Sequence, residues 1–240
     1  MTERFPQIAP EGIDRMTIRF APRVDLAANR AARAFRAWLE AEGWPGIEET
    51  SVALVSVLVR FDPRVLPHAA LQARLAAALA ESRAPVPDTG RKWVIPCSFG
   101  GADGPDLVEA AALAGTTPDQ AVAELSGWVE VLAIGFAPGQ PYLGELPPNW
   151  ALPRRNAVTP QVPEGALVTA VRQFVLFANP SPTGWRQVGR TGFRCFRPED
   201  ADPFPLAPGD LVRFAPVGPA RLAALCAEDP AGGGAWLEPA

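Results

Sequence analysis

The stretch GFAPGQPYLGELP, residues 135–147, follows the apolar strand-like run Val129 to Ile134 and contains three prolines and three glycines. Proline restricts φ and removes a donor, whereas glycine permits positive φ. The pattern therefore predicts a rigid, defined loop after a strand, either at a functional site or at a structural corner. The side chains that stand out in it are Phe136, Gln140, Glu145 and Tyr142, the sole tyrosine of the chain.

The composition limits both the fold and the partners. The 240 residues allow one large domain or two small ones, and the 28 prolines and 21 glycines favour strands and turns. The net charge of −4 offers no basic footprint, so we expect no nucleic-acid partner. No apolar run is typical of a signal peptide or a membrane span, and Cys97, Cys195 and Cys226 indicate buried thiols in a reducing compartment. We expect a cytoplasmic protein without a membrane partner.

The residue types present also exclude several chemistries. His68 is the only histidine, and it stands where an alanine-rich helix begins, so we interpret it as a surface residue. Catalysis by Ser-His-Asp or Cys-His systems and a histidine-rich metal site are therefore not expected. Any activity must rest on Asp, Glu, Arg, Tyr, backbone amides or another subunit, and no metal is predicted.

The first part of the chain alternates strand and helix patterns. Alternation over Met16 to Phe20 predicts a strand, and helical spacing follows from Asp25, a plausible N-cap, to a stop at Gly43. A β-branched run reaching Phe61 predicts one strand or the end of a hairpin. The segment Pro67 to Glu81 predicts a second helix, and the segment Arg91 to Pro96 predicts another strand. This order over residues 14–96 predicts a split β-α-β, ferredoxin-like layer.

The pattern changes after residue 97. Two short helices are predicted over Asp106 to Ala114 and Thr117 to Leu125, with Asp106 as an N-cap in preference to a chemical role. Strands separated by Pro/Gly turns then predict a barrel or sandwich, and Pro219 to Glu228 a terminal helix. The predicted strands are Val129–Ile134, Leu167–Val171, Phe174–Phe177, Gln187–Val188, Phe193–Phe196 and Leu211–Phe214. We predict an α+β protein with domains at residues 14–90 and 91–228 and a flexible tail at 229–240.

Five ordered motifs carry a family resemblance. They are Gly100–Leu107, Gly135–Gly144, Pro153–Arg155 with Val162–Gly165, Pro180–Thr191, and Pro208–Phe214. Together they resemble the family that includes allophanate hydrolase subunit 1, the B-type subunit of bacterial 5-oxoprolinase and the KipI-type inhibitor of a sporulation histidine kinase. The resemblance covers about residues 14–217.

The resemblance implies a small α/β N-terminal domain and a cyclophilin-like β-barrel. It also implies a partner, a homologous cyclophilin-like subunit of the 5-oxoprolinase C-type or the allophanate hydrolase subunit 2 type. In 5-oxoprolinase this assembly, together with a third subunit, couples ATP hydrolysis to opening of the 5-oxoproline ring. No Walker-type loop is present, so ATP would be used by the complex, and no cofactor is assigned to this chain.

The chain departs from the family pattern at several positions. Family members usually have Phe where Gln140 stands and Gly where Glu145 stands, and Gln161 replaces a common arginine. Gln173-Phe174-Val175 replaces a Gln-Thr-Gly turn, Thr183 replaces a glycine, and a histidine often found before the Trp128–Phe136 strand is absent. These departures predict a divergent or catalytically altered member.

Each candidate site residue has a functional and a structural interpretation. Arg154 and Arg155 would bind a carboxylate or phosphate, or form a solvated turn. Gln173 would present its amide to a substrate or pair with backbone, and Tyr142 would line a cleft or anchor a partner. Arg190 would face the cleft or cap strand ends, and Trp185 would touch ligand or close the barrel. The remaining candidates for a cleft or interface are Phe136, Pro138, Gly139, Pro141, Gly144 and Pro182.

The first hypothesis is a subunit, inactive alone, of an ATP-dependent hydrolase of amides or lactams, most plausibly 5-oxoprolinase. Arg154, Arg155 and Gln173 would orient the anionic substrate beside Tyr142, and no catalytic residue is assigned. The second hypothesis is a KipI-like inhibitor whose partner is a sensor histidine kinase. The third is a carboxyltransferase component of a biotin-dependent, urea carboxylase-like system.

Overall fold

The computed structural model describes residues 4–81 and 90–239. The chain divides into two compact units, residues 1–87 and 88–240. The domain boundary predicted between residues 90 and 91 adjoins residues 82–89, which lie outside the described part of the chain.

The described residues of the first unit form four strands and two helices. They are β1 (Gln7–Pro10), β2 (Arg15–Arg19), α1 (Leu26–Glu42), β3 (Ile47–Ala53), β4 (Ser56–Phe61) and α2 (His68–Ala80). Helix α1 begins where the Asp25 side chain accepts a hydrogen bond from the Ala28 amide, and it ends at Gly43 with φ of 57°. Both ends are those predicted from the sequence, because an N-cap acceptor and a left-handed glycine are local signals.

The sheet of the first unit is antiparallel, with the strand order β1-β2-β4-β3. Strand β4 lies between β2 and β3, which is the split β-α-β arrangement that the sequence predicts. The undecided run reaching Phe61 is a hairpin of β3 and β4. The edge beside β2, however, is occupied by the unpredicted strand β1, and the predicted strand at Arg91–Pro96 belongs to the second unit.

The second unit contains the remaining elements. They are β5 (Lys92–Phe99), α3 (Leu107–Leu113), α4 (Pro118–Leu125), β6 (Trp128–Ile134), β7 (Pro141–Gly144), a 3-10 helix (Pro148–Trp150), β8 (Thr159–Val162), β9 (Ala166–Ala170), β10 (Gln173–Leu176), β11 (Ser181–Thr183), β12 (Arg186–Thr191), β13 (Leu211–Pro216), α5 (Pro219–Glu228) and β14 (Trp236–Leu237). Within the described ranges, no helix is long and apolar enough to cross a membrane.

Seven strands close into a barrel in the order β12-β9-β10-β7-β6-β13-β5, because β12 also pairs with β5. Strand β13 runs parallel to β5, and the other neighbours in the barrel are antiparallel. Alternate residues of β10 pack on opposite sides of the sheet: Phe174 and Leu176 in one apolar cluster, Val175 in another with Trp185. The α+β class with a barrel is therefore as predicted.

The C-terminal tail contains strand β14, and the flexibility expected for residues 229–240 stays a prediction. Trp236 and Leu237 of β14 pair with Val94 and Trp93 of β5, ahead of the part of β5 that pairs with β12. The Asp229 carboxylate accepts hydrogen bonds from the Gly232 and Gly234 amides and so fixes the preceding turn. The Gly232 bond, with that of Gly234, holds the pKa of Asp229 below its ordinary value.

The tail also explains why the strand predicted at Phe193–Phe196 does not form. The Arg194 amide donates to the Ala231 carbonyl at 2.9 Å, so this segment pairs with the tail turn instead of a neighbouring strand.

Cys97 and Cys195 are buried, Cys226 is half-buried, and all three are free thiols. Burial raises the pKa of the Cys97 and Cys195 thiols far above the ordinary value, so both stay protonated.

The loop between β6 and β7 is as constrained as its sequence predicts. The Gly135 amide donates to the Gln140 carbonyl at 3.0 Å, and the Gln140 amide donates to the Ala137 carbonyl at 3.1 Å. Gly139 has φ of 73°, and a Cβ built there would lie 2.2 Å from the Cys195 carbonyl oxygen. The loop can therefore approach the Cys195 backbone only with glycine at this position.

We expect Gly139→Ala to lower the free energy of unfolding by about 2–4 kcal/mol, from overpacking and positive φ together. Gly135→Ala is the matched control, because its added Cβ meets no atom within 4 Å and its φ is not positive. Urea denaturation followed by tryptophan fluorescence would compare the two variants. Equal stability of both variants would contradict the close approach at Cys195.

Candidate functional site

A cavity of about 470 Å³ opens on the second unit beside the β6–β7 loop. Strands β7, β10 and β11, the loop itself and the segments before β8 and β12 supply its walls. The lining residues are Phe136, Gln140, Tyr142, Arg154, Arg155, Val158, Val175, Phe177, Pro182, Thr183, Gly184 and Trp185. The motifs at residues 135–144, 153–155 and 180–191 therefore meet at one place.

The two consecutive arginines have different surroundings. The Arg155 guanidinium donates from Nη1 to Asp106 Oδ1 at 2.9 Å, so its charge is largely compensated. The Arg154 side chain is exposed, and its guanidinium carbon lies 5.6 Å from the centre of the Trp185 ring. Among the residues that the structure describes, Arg154 makes no ion pair. It is therefore available to a ligand, oriented by an aromatic face.

The segment that carries Arg154 is held on both sides. The Arg155 amide donates to the Gly184 carbonyl at 2.7 Å. The buried Arg186 donates from Nη1 to the Pro153 carbonyl at 2.7 Å, and its guanidinium also pairs with Glu109 at 3.0 Å. The backbone on either side of Arg154 is thus fixed, while its side chain stays open to the cavity.

Asp106 does not have the capping role predicted for it. Its side chain makes no cap hydrogen bond to α3. It accepts instead from Arg155 Nη1 and from the Gln187 amide, both at 2.9 Å. The reason is a tertiary contact, because the Gly100–Leu107 loop packs on β12. A Cβ at Gly104 would lie 2.1 Å from the Val188 carbonyl oxygen. This close packing places the Asp106 carboxylate against the site.

The charged side chains in the described lining of the cavity are positive. Its described lining holds two arginines and no aspartate, glutamate, histidine or cysteine. Since Asp106 compensates Arg155, the charge of Arg154 remains for an anionic ligand. Tyr142 offers a phenolic hydroxyl, and Phe177, Val175 and Trp185 form an apolar wall. This arrangement can bind and orient an anion, but it supplies no strong acid–base pair for catalysis.

Aromatic and apolar side chains stand at the mouth of the cavity. Phe136 is 80% exposed and has φ of 69°, and Val158 is 62% exposed. Pro182 is exposed on β11, and Pro138 on the β6–β7 loop. Of the predicted cleft residues, Phe136, Pro182 and Trp185 line the cavity.

Other predicted site residues lie outside the lining. Gln173 is buried on the same face of β10 as Val175, pairs across the sheet with Gly144, and its Nε2 has no partner among the described residues. Arg190 is exposed on β12, with its guanidinium 3.8 Å from Asp103. Gly139, Pro141 and Gly144 shape the loop and β7, and they do not line the cavity.

The structure places in the cavity a residue that stood out in the loop sequence and as a departure from the family pattern, but that was not among the predicted site residues. Gln140 is 1% exposed and lines the cavity, and its Oε1 has no hydrogen-bond partner among the described residues. A polar side chain in a Pro/Gly-rich loop was the available signal.

Across residues 4–81 and 90–239, no three His, Cys, Asp or Glu side chains form a cluster able to hold a metal ion.

We expect Asp106→Ala to lower the free energy of unfolding by about 1–3 kcal/mol, because Arg155 and the Gln187 amide both lose their acceptor. Asp103→Ala is the matched control, since Asp103 lies in the same loop and, within the described part of the chain, its carboxylate makes the 3.8 Å contact with Arg190 and no other ion pair. Denaturant titration of both variants measures the difference. A loss no greater for Asp106→Ala than for Asp103→Ala would show that the Asp106 carboxylate does not hold the site.

Comparison with known proteins places these features in a family. The family model described as carboxyltransferase domain, subdomain C and D, matches residues 6–206. The B-type subunit of 5-oxoprolinase from Bacillus subtilis (strain 168) is 31% identical over 225 residues, covering 89% of this chain and 93% of that protein. Its counterpart from Escherichia coli O157:H7, also a B-type subunit of 5-oxoprolinase, is 34% identical over 209 residues, covering 85% and 93%.

A solved structure agrees with the fold. Kluyveromyces lactis urea carboxylase has a TM-score of 0.79 at 20% identity, over 96% of this chain and 24% of that protein. At this identity the likeness shows the fold alone. The family resemblance drawn from the five motifs is confirmed, and the relatives at higher identity are, by name, one subunit of an enzyme.

Proposed function

We propose that this chain, which belongs to the carboxyltransferase domain, subdomain C and D, family, works as the B-type subunit of a 5-oxoprolinase. The named relatives support the assignment, since they are 31% and 34% identical over most of their length. The observation that carries the site assignment is Arg154, the uncompensated cation in a cavity whose described lining contains no carboxylate. The substrate 5-oxoproline is a small carboxylate, which such a site suits.

Arg154 would bind the substrate carboxylate, with its guanidinium oriented over Trp185. Tyr142 would offer its hydroxyl from strand β7. Val175 and Phe177 would cover the apolar edge of the substrate ring. Arg155 contributes by position, since its bond to Asp106 fixes the backbone of its neighbour. Gln173 and Arg190 lie outside the lining and have no direct role in this proposal.

The proposal also explains why a partner is needed. The described lining holds no histidine or carboxylate to move protons, so the groups that open the ring and use ATP would come from other subunits. The homologous cyclophilin-like subunit, with a third subunit, is the expected partner. The exposed Phe136 and Val158 at the cavity mouth offer an apolar rim for such a contact.

We expect Arg154→Ala to lower kcat/KM for ATP-dependent glutamate release from 5-oxoproline by about 10- to 100-fold, through loss of a charge-assisted hydrogen-bond pair. Arg154→Lys should fall between this variant and wild type, because it keeps the charge but loses the planar fork. The assay uses the chain co-expressed with the related subunit and the third subunit.

Arg221→Ala is the matched control, because the Arg221 side chain is exposed on α5 and lies outside the cavity. A complex that turns over 5-oxoproline equally well with Arg154→Ala would show that the cavity is not the carboxylate site. If no complex forms, the enzyme assignment fails and inhibition of a histidine kinase becomes the hypothesis to test.

A further inference from the structure

The Gln140 side chain has a buried hydrogen-bond acceptor that lacks a donor among the described residues. This side chain is 1% exposed, and the acceptor is its Oε1. A buried carbonyl oxygen that has lost water and gained no donor is unfavourable, and native structures keep few of them. Gln140 lines the cavity, so rotation of its side-chain amide would present this buried oxygen to a donor on a bound ligand.

The side chain of Gln140 is not needed to hold the loop. The Gln140 backbone makes both loop-closing hydrogen bonds, as donor to Ala137 and as acceptor from Gly135. An apolar side chain would fit the adjoining wall of Val175, Phe177 and Trp185 without leaving an unpaired acceptor. Among the described residues, the Gln140 Oε1 therefore gains no hydrogen bond in the free protein.

We propose that Gln140 is a specificity-determining residue whose Oε1 accepts a hydrogen bond from the ring N–H of a lactam carboxylate. This inference rests on the proposed function, and it gives this chain a substrate contact that family members with Phe at this position would not make. In 5-oxoproline the ring nitrogen is bonded to the carbon that carries the carboxylate. A ligand whose carboxylate is bound by Arg154 therefore has its N–H donor next to the carbon that bears the carboxylate, inside the cavity that Gln140 also lines.

The chemistry predicts discrimination between a lactam and the corresponding lactone. The lactone, 5-oxotetrahydrofuran-2-carboxylate, has the same shape and charge, but a ring oxygen replaces the N–H. When the lactone ring oxygen faces Gln140 Oε1, two hydrogen-bond acceptors meet. Neither oxygen then receives a hydrogen bond. Sites built around a ligand donor reject analogues that lack it much more strongly than apolar pockets reject a missing methylene.

The test measures binding of both compounds to the assembled complex by calorimetry. Wild type is expected to bind 5-oxoproline about 10- to 100-fold more tightly than the lactone. Gln140→Met, which keeps the chain length and removes the acceptor, is expected to reduce that ratio to about threefold or less. Gln72→Met is the matched control, because Gln72 is an exposed glutamine of α2 in the other unit, and it should keep the wild-type ratio.

Two further readouts keep the test independent of one variant. Gln140→Glu keeps an acceptor but adds a negative charge near the ligand carboxylate, so both affinities should fall while the preference for lactam remains. The Tm of ligand-free Gln140→Met should be unchanged or about 2–4 °C higher than wild type, because the unpaired acceptor is gone.

The outcomes separate this inference from the proposed function. If wild type binds 5-oxoproline and the lactone equally, or if Gln140→Met keeps the preference, the role of Gln140 is overturned while the proposed function stands. If wild type binds neither compound, the proposed function fails and the inference fails with it. A preference that is lost in Gln140→Met and kept in Gln72→Met supports both.

Discussion

The candidate site depends on the two hydrogen bonds that the Asp106 carboxylate accepts. The carboxylate accepts them from Arg155 Nη1 and from the Gln187 amide, and so joins the Gly100–Leu107 loop, the segment before β8 and the barrel strand β12. Arg186 fixes the same segment by its bond to the Pro153 carbonyl. Motifs that are some 50 and 80 residues apart in the sequence are thereby held at one cavity. Arg154 occupies the one position between these contacts whose side chain stays available.

This arrangement assigns different tasks to neighbouring residues of the same type. Arg155 is compensated by Asp106 and contributes structure, whereas Arg154 rests over Trp185 and contributes charge. The cavity walls are otherwise apolar or neutral, which strengthens an ion pair with a ligand relative to water. Residues arranged in this way can bind and orient an anion, whereas the described lining of the cavity holds no acid–base pair for proton transfer.

Local signals in the sequence predicted the helices well. Asp25 and Gly43 bound α1, and Thr117 with Gln120 forms a capping box at α4, because caps depend on residues adjacent in the chain. Errors arose where distant pairing decides the outcome. Strand β1 takes the sheet edge expected for another strand, Arg194 pairs with the tail turn, and Asp106 turns to Arg155 instead of capping α3. The motifs located the cavity, but the importance of Gln140 depends on burial, which spacing alone does not reveal.

In the proposed function, the cavity beside the β6–β7 loop binds a lactam carboxylate through Arg154. A crystal or cryo-electron-microscopy structure of the assembled complex with 5-oxoproline tests it most directly. The account predicts the ligand in this cavity, with its carboxylate oxygens about 2.7–2.9 Å from the Arg154 guanidinium nitrogens. Density for 5-oxoproline elsewhere in the complex, with this cavity empty, would contradict it.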